Sequence, residues 1–404
     1  TTVNAGTTAG DVIITATDLT LNTSITGHEV SIIQSAGADI DLADASTGAS
    51  MTVDSTEFDK ITATNLEFDT AGTITLDSLS ADDNEKISNN LKLDAGTDIV
   101  ITATNNAVGV TNSLTLEADD GVDLTLSTNP SLTIGSGNLL ITADADTDGA
   151  DVKDKITIGA GATITATAGS ITFANAANGA DLSGSGDTVT IQTSGGTGNI
   201  TLSDDVSDTG TATNLVLTTD SSATQGDISV EAISAGYVKI DAAATSVGDV
   251  TINDNITAAA ANGGIGIDID ATNDVTIAGT LTTTDGGTAL DVDIDAGNEF
   301  TLSSGGIDSD NDIFITASAN DVNLAAGLTA DNEVTIVSTS GSVLQTAGDI
   351  LAVDDVNIDA AASTQKIDIA GTIGSGAAIG GNVLIGQSVG TSDIEIDGAI
   401  TANG

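Results

Sequence analysis

The stretch Asp249-Val-Thr-Ile252 returns as Asp274-Val-Thr-Ile277 and again in Phe300-Thr-Leu302, at a constant step of 25 residues. Alternation with period 2 puts Val250 and Ile252 on one face of a short strand and Thr251 on the other. Hairpin partners lie only a tight turn apart, so a triplet that keeps its phase over such a distance reads as successive coils of a solenoid.

The same unit, a polar residue followed by apolar-polar-apolar, runs along the chain. It appears as Asp98-Ile-Val-Ile101, Asn199-Ile-Thr-Leu202, Asp227-Ile-Ser-Val230, Asp321-Val-Asn-Leu324, Asp355-Val-Asn-Ile358 and Asp393-Ile-Glu-Ile396. Shorter steps separate Ile313, Val334 and Val356, and further strand-like runs such as Ile265-Gly-Ile-Asp-Ile269 and Leu290-Asp-Val-Asp-Ile294 fall in between. Clusters such as Gly195-Gly196-Thr197-Gly198, Gly263-Gly264 and Gly305-Gly306 supply turn chemistry. No segment sustains the 3.6-residue apolar period of a helix. The expected fold is all-β: a parallel β-helix (β-solenoid) with coils of about 20–25 residues, two or three strands each, and almost no helix. One continuous solenoid is expected over 1–404, with the polar stretches 80–90 and 144–155 as loops or insertions. Coils stacked about 4.8 Å apart predict a rod roughly 80–90 Å long.

Composition agrees. Hydrophobic residues make up 39% of the 404 residues but aromatic ones only 1%, so the core is built from Ile, Val, Leu and Ala and must be thin. Tandem β-sandwiches, the rival all-β fold, would need ring-rich cores and hairpin loops. The chain carries 59 acidic residues against 7 lysines, with no arginine, for a formal charge of −52. That balance excludes nucleic acid, whose phosphates need cationic side chains, and disfavours anionic membrane surfaces. Two uses of the carboxylates remain: binding divalent cations, chiefly Ca²⁺, and keeping a repetitive β-protein soluble. Cysteine is absent, which excludes disulfides and thiolate metal sites, and no apolar run reaches the length of a membrane-spanning helix. The opening Thr1-Thr2-Val3-Asn4 has neither Met nor a signal-peptide pattern and reads as the start of a mature or excised segment.

Repeats of the Asp-Ile-Thr-Ile-x-Ala kind, without Cys and rich in Thr, Asn, Asp, Ala and Gly, resemble those of bacterial filamentous haemagglutinin-type exoproteins and related β-strand-repeat surface proteins. The resemblance covers nearly the whole chain and rests on composition and periodicity. It implies a right-handed parallel β-helix, export to the cell exterior, and work in adhesion, biofilm or surface layers, with cell-surface or matrix glycans as partners.

Candidate chemistry is sparse. Asp144-Ala-Asp146-Thr-Asp148-Gly149 matches the first half of an EF-hand-like calcium loop, in which alternate carboxylates converge on one ion, but Lys155 stands where a bidentate Glu would be needed. Asp308, Asp310 and Asp312 repeat the spacing more weakly. Gly263-Gly264-Ile265-Gly266-Ile267-Asp268 fits the start of a calcium-binding nonapeptide, yet Ile265, Ile267 and Ile269 read as an ordinary strand. The single histidine, His28, is expected in an exposed turn, and Phe314 on the outer face between inward Ile313 and Ile315. No catalytic set is legible, so an enzyme is not expected; a polysaccharide-active one is the remote alternative. The leading expectation is an extracellular structural protein, a surface fibre, filament or adhesin shaft assembling end to end. A calcium-dependent surface-layer or binding module is the alternative. Both ends read as open strand repeat, Val12-Ile-Ile14 at one and Asp393-Ile-Glu-Ile396 at the other, which suits either self-association into a filament or lattice or continuation into further repeats of a longer parent chain.

Overall fold

The computed structural model describes residues 3–402 except 43–50, 78, 81, 103–107, 125–130, 144–153, 175, 177, 184–186, 209–212, 223, 261, 285–288, 363, 375–378 and 387–392. The chain forms two compact units, Thr1–Gly210 and Thr211–Gly404. Each is a parallel β-solenoid whose coils contribute short strands to three sheets. In unit 2 the first sheet contains Ile228–Val230, Val250–Ile252, Val275–Ile277 and Phe300–Leu302. The second contains Ile233–Ala235, Ile256–Ala258, Thr280–Thr283 and Gly306–Ser309. The third contains Val238–Ala242, Ile265–Ala271, Asp291–Ala296 and Ile313–Ala317.

The recurring triplets are the rungs of this stack. Val250 pairs with Val275 and Val275 with Phe300; Ile252 pairs with Ile277 and Ile277 with Leu302. All six are fully buried. The shorter steps hold too, with Ile313 on Val334 and Val334 on Val356 in the third sheet. Inward positions form aliphatic columns because a parallel strand set in register places each side chain against its counterpart one coil on. Thr276 and Thr251 stand outward on the same strands.

The polar residue that opens each unit has a physical task at the corner. In unit 2, Asp249 Oδ1 accepts from Asn273 Nδ2 at 2.6 Å and from the Asp274 amide at 3.2 Å. Asp274 Oδ1 does the same for Asn298 Nδ2 and the Glu299 amide, at 2.6 and 3.2 Å. A second such column runs from Asp291 to Asn311 and Asp312, then from Asp312 to Asn332 and Glu333. Backbone N–H groups left over where a strand begins must find partners, and here the acceptor is the carboxylate one coil earlier. Glycine serves the tightest corners. Gly305 has φ 76°, and a Cβ there would run into the carbonyl of Gly279 in the coil before.

Unit 1 begins with longer strands. Val3–Asn4 and Val12–Ala16 both pair with the ten-residue strand Ile25–Gln34, which pairs with Ile61–Thr70, and that with Ile87–Ala95. One turn of helix, Ser55–Phe58, is the only helix among the described residues. Asp54 and Glu57 cap it reciprocally, and its buried Phe58 meets Phe68 with ring centroids 5.4 Å apart. Two expected loop regions fare differently: Asp82–Lys86 is a turn whereas Ile87 already opens a strand, and 144–153 lies outside the described residues. Ile265 does not alternate simply with Ile267 and Ile269. The register shifts between Ile265 and Ile267, leaving Gly266 as an extra, buried residue.

Ile277→Asp is expected to lower the stability of unit 2 by about 3–5 kcal/mol, the scale of a buried charge without a partner. Thr276→Asp, one residue away on the outer face, is expected to change little. Urea denaturation of the two variants checks the register, and equal stabilities would refute it.

Candidate functional site

The outer face of the first sheet in unit 1 carries a groove of about 490 Å³ lined by Glu29, Asn65, Glu67, Asn89, Asn90 and Lys92, with Ser113, Thr115 and Asn138 further along. Its origin is local. In Ile25–Gln34 the alternation slips at His28–Glu29, in Ile61–Thr70 at Thr64–Asn65, and in Ile87–Ala95 at Ser88–Asn90. The register shifts between Ala63 and Asn65 at the same level. These irregularities sit one above another, so consecutive polar side chains turn away from the core in three neighbouring coils.

The side chains form a relay across the coils. Asn65 Nδ2 donates to Glu29 Oε1 at 2.7 Å, and Asn89 Nδ2 donates to Asn65 Oδ1 at 2.7 Å. Thr115 Oγ1 donates to Asn90 Oδ1 at 3.3 Å. Lys92 stands among three carboxylates, with its Nζ 2.7 Å from Asp94, 2.7 Å from Glu117 and 3.4 Å from Glu67. Burial works against the Lys92 ammonium, but its hydrogen bonds to Asp94 and Glu117 outweigh that and hold its pKa above the ordinary lysine value. Burial, together with Asp94 and Glu67, pushes the Asp69 carboxyl up, against the pull of Lys92. Amides, hydroxyls and one neutralised lysine make a hydrogen-bonding surface with an excess of negative charge. Such a surface suits uncharged, hydroxyl-bearing groups and repels anions.

A second concentration of polar groups lies on the outer face of the third sheet in unit 2. Lys239 pairs in register with Asp268 and Asp268 with Asp293; Asp241 pairs with Asp270 and Asp270 with Asp295. Lys239 Nζ lies 2.9 Å from Asp268 and 2.7 Å from Asp270, and the buried Tyr237 hydroxyl donates to Asp268 at 2.8 Å. Burial and that hydrogen bond hold the Tyr237 pKa above its ordinary value. Burial also raises the Asp241 carboxyl, with Lys239 opposing and Asp270 and Asp268 adding to it.

Asp144, Asp146 and Asp148 lie outside the described residues. Asp308, Asp310 and Asp312 do not converge. Asp308 is exposed on the strand Gly306–Ser309, level with Thr282 and Thr329. Asp310 follows in a bend, where its amide donates to Thr283 Oγ1 at 2.9 Å. Asp312 accepts from Asn332 and Glu333 of the next coil at 2.7 and 2.8 Å. Among the described residues no group of three or more Asp, Glu or His side chains is placed to hold a metal ion. His28 is not in a turn but half-buried in Ile25–Gln34, its Nδ1 3.1 Å from Glu29 Oε1. Phe314 stands on the outer face as expected, half-buried between Asp293 and Thr335.

Lys92→Met keeps the side-chain bulk and removes the cation. Unit 1 should lose about 1–2 kcal/mol in dilute buffer, discounted for the partly exposed pairs, and less in 1 M salt, where repulsion among Glu67, Asp94 and Glu117 is screened. Denaturant titrations at the two salt concentrations read this directly; no loss at either would mean that the carboxylates do not depend on Lys92.

No protein-family model, no curated protein and no solved structure matches this chain.

Proposed function

We propose that this chain is an extracellular structural protein, the shaft of a surface fibre or adhesin, whose copies add end to end into a filament. The observation that carries this reading is the in-register stacking of coil on coil, Val250 on Val275 and Val275 on Phe300 in unit 2, with an aliphatic column inside. In the last described coil of unit 2, Ile394 and Ile396 stack in register on Ile367 and Ile369, and Ile400 pairs with Ile373. The three lower residues are fully buried, whereas Ile394, Ile396 and Ile400 are 45%, 37% and 43% exposed. A strand edge of this kind accepts another β-coil, from a second copy or from further repeats of the same protein.

The first coil of unit 1 carries apolar side chains of the same kind. Ile14 is half-buried over the fully buried Ile32, and Ile13 beside it is 68% exposed. Contact between two unlike faces is heterologous and does not close on itself, which gives a filament. The net charge of −52 opposes sideways association of the shaft. The role is mechanical and non-enzymatic. Calcium at Asp144, Asp146 and Asp148 would add a cation-dependent element to the same shaft.

A second reading, attachment to glycans, has the unit 1 groove behind it. The amides of Asn65 and Asn89 and the hydroxyl of Thr115 present donors and acceptors at the spacing of successive coils, which suits the hydroxyls of an uncharged polysaccharide.

Sedimentation velocity and electron microscopy test the assembly. The parent chain should form linear end-to-end species that grow with concentration. The double variant Ile394→Asp with Ile396→Asp should stay single while keeping the parent's circular dichroism, since both sites are exposed. A parent chain that remains monomeric at every concentration, with or without millimolar calcium, would overturn the filament.

A further inference from the structure

The two acidic stacks differ in where their lysine stands. In unit 1, Lys92 is central: Glu67 pairs with it from the coil before, and it reaches Asp94 on its own strand and Glu117 on the next. In unit 2, Lys239 stands at the first coil of the stack and binds Asp268 and Asp270 of the second. The third coil then places Asp293 and Asp295 in register over Asp268 and Asp270. Asp295 is exposed, but Asp293 is half-buried. Among the described residues neither a lysine nor a hydrogen-bond donor reaches the Asp293 carboxylate.

The surroundings of Asp293 are acidic on three sides and apolar on the fourth. The strand Ile265–Ala271 presents Asp268 and Asp270, and Val238–Ala242 beyond it presents Lys239 and Asp241. Its own strand adds Asp291 and Asp295. The strand Ile313–Ala317 lays Phe314 beside it in register, with Thr316 beside Asp295. Asp291 is engaged elsewhere, accepting from Asn311 Nδ2 at 2.6 Å, and Asp268 is held by Lys239 and Tyr237. A carboxylate in that position meets like charge one coil away and an aromatic ring on its other side, with no compensating cation.

We propose that this stack is a proton-sensitive brace: uptake of a proton by Asp293 in mildly acidic medium tightens the third sheet of unit 2, which is looser at neutral pH. The protonated carboxyl gains an O–H that a neighbouring carboxylate can accept, and it removes one charge from the column. Burial first, then Asp295, Asp268, Asp270 and Asp291, pushes the Asp293 carboxyl from its ordinary 3.8 up to about 6. Between those two values the folded chain holds a proton that the unfolded chain has released. Stability is therefore fully kept below the lower value, falls as pH rises through this window, and stays low above it. Most salt-bridged carboxylates act in the opposite sense, losing stability on acidification.

Two measurements on the full chain test the brace. The first follows the Asp293 side-chain carboxyl by carbon NMR as pH is varied, with assignment from the Asp293→Asn spectrum. An inflection near 6 is expected; one near 4 would overturn the proposal. The second compares thermal melting at pH 7.5 and 5.0. The unit 2 transition of the parent should rise by roughly 1–3 °C on acidification, a shift on the scale of a partly screened carboxyl in a domain of this size. Asp293→Asn should melt higher than the parent at pH 7.5 and lose most of that rise. Asp308→Asn removes the same charge from an exposed site and should keep the rise, which separates the brace from a general response to lowered net charge. If Asp293→Asn and Asp308→Asn share the same pH dependence, the brace does not exist.

Discussion

Parallel pairing in register makes every side chain the neighbour of its own counterpart one coil away, about 4.8 Å off. Inside the coils that constraint is favourable. Val250 over Val275, or Ile252 over Ile277, buries like on like, and columns of Ile, Val, Leu and Ala fill the interior with few rings. Phe300 is accommodated between Val275 and Val322 because the residues above and below it are small. The hydrophobic term is thus spread evenly over many short rungs, each resting on the next.

Outside the coils the same constraint is a hazard, because an acidic residue that recurs meets another acidic residue. The chain answers it in two ways. At the corners, Asn precedes Asp or Glu, as in Asn273-Asp274, Asn298-Glu299, Asn311-Asp312 and Asn332-Glu333. The amide of one coil donates to the carboxylate of the previous one, so repetition supplies hydrogen bonds in place of repulsion. On the sheet faces, lysines are set into the acidic columns, at Lys92, Lys239 and Lys366. Lys239 lies at the end of its column, and Asp293 is the carboxylate beyond its reach.

Much of this fold is legible in the residues. The 25-residue recurrence of apolar-Thr-apolar implies stacked coils, and the polar residue at the head of each unit marks the corner. Other features are not legible. The groove in unit 1 arises where irregularities in three strands coincide; each alone is a small break such as Gly27-His28-Glu29, and only stacking brings Glu29, Asn65 and Asn89 together. Gly266 looks like one position of a regular alternation until the pairing with Asp291–Ala296 shows that it is an extra residue. The Asp308-Ser-Asp310-Asn-Asp312 spacing resembles half a calcium loop, but Asp308 is exposed on a strand and Asp312 accepts from Asn332 and Glu333 at a corner, and among the described residues no such group is placed to hold a metal ion.

By itself, then, the sequence determined the secondary-structure type, the inward and outward faces of the strands, the length of a coil and the excess of negative charge, because these follow from residue periodicity and count. The tertiary structure alone decided which outward residues meet: Lys92 with Glu67 and Glu117, Asn89 with Asn65, Asp293 with Asp268. Those meetings depend on how many residues each corner takes up before the next strand begins. A difference of one residue there moves a side chain to the other face of the sheet, and no local pattern in the chain records that count.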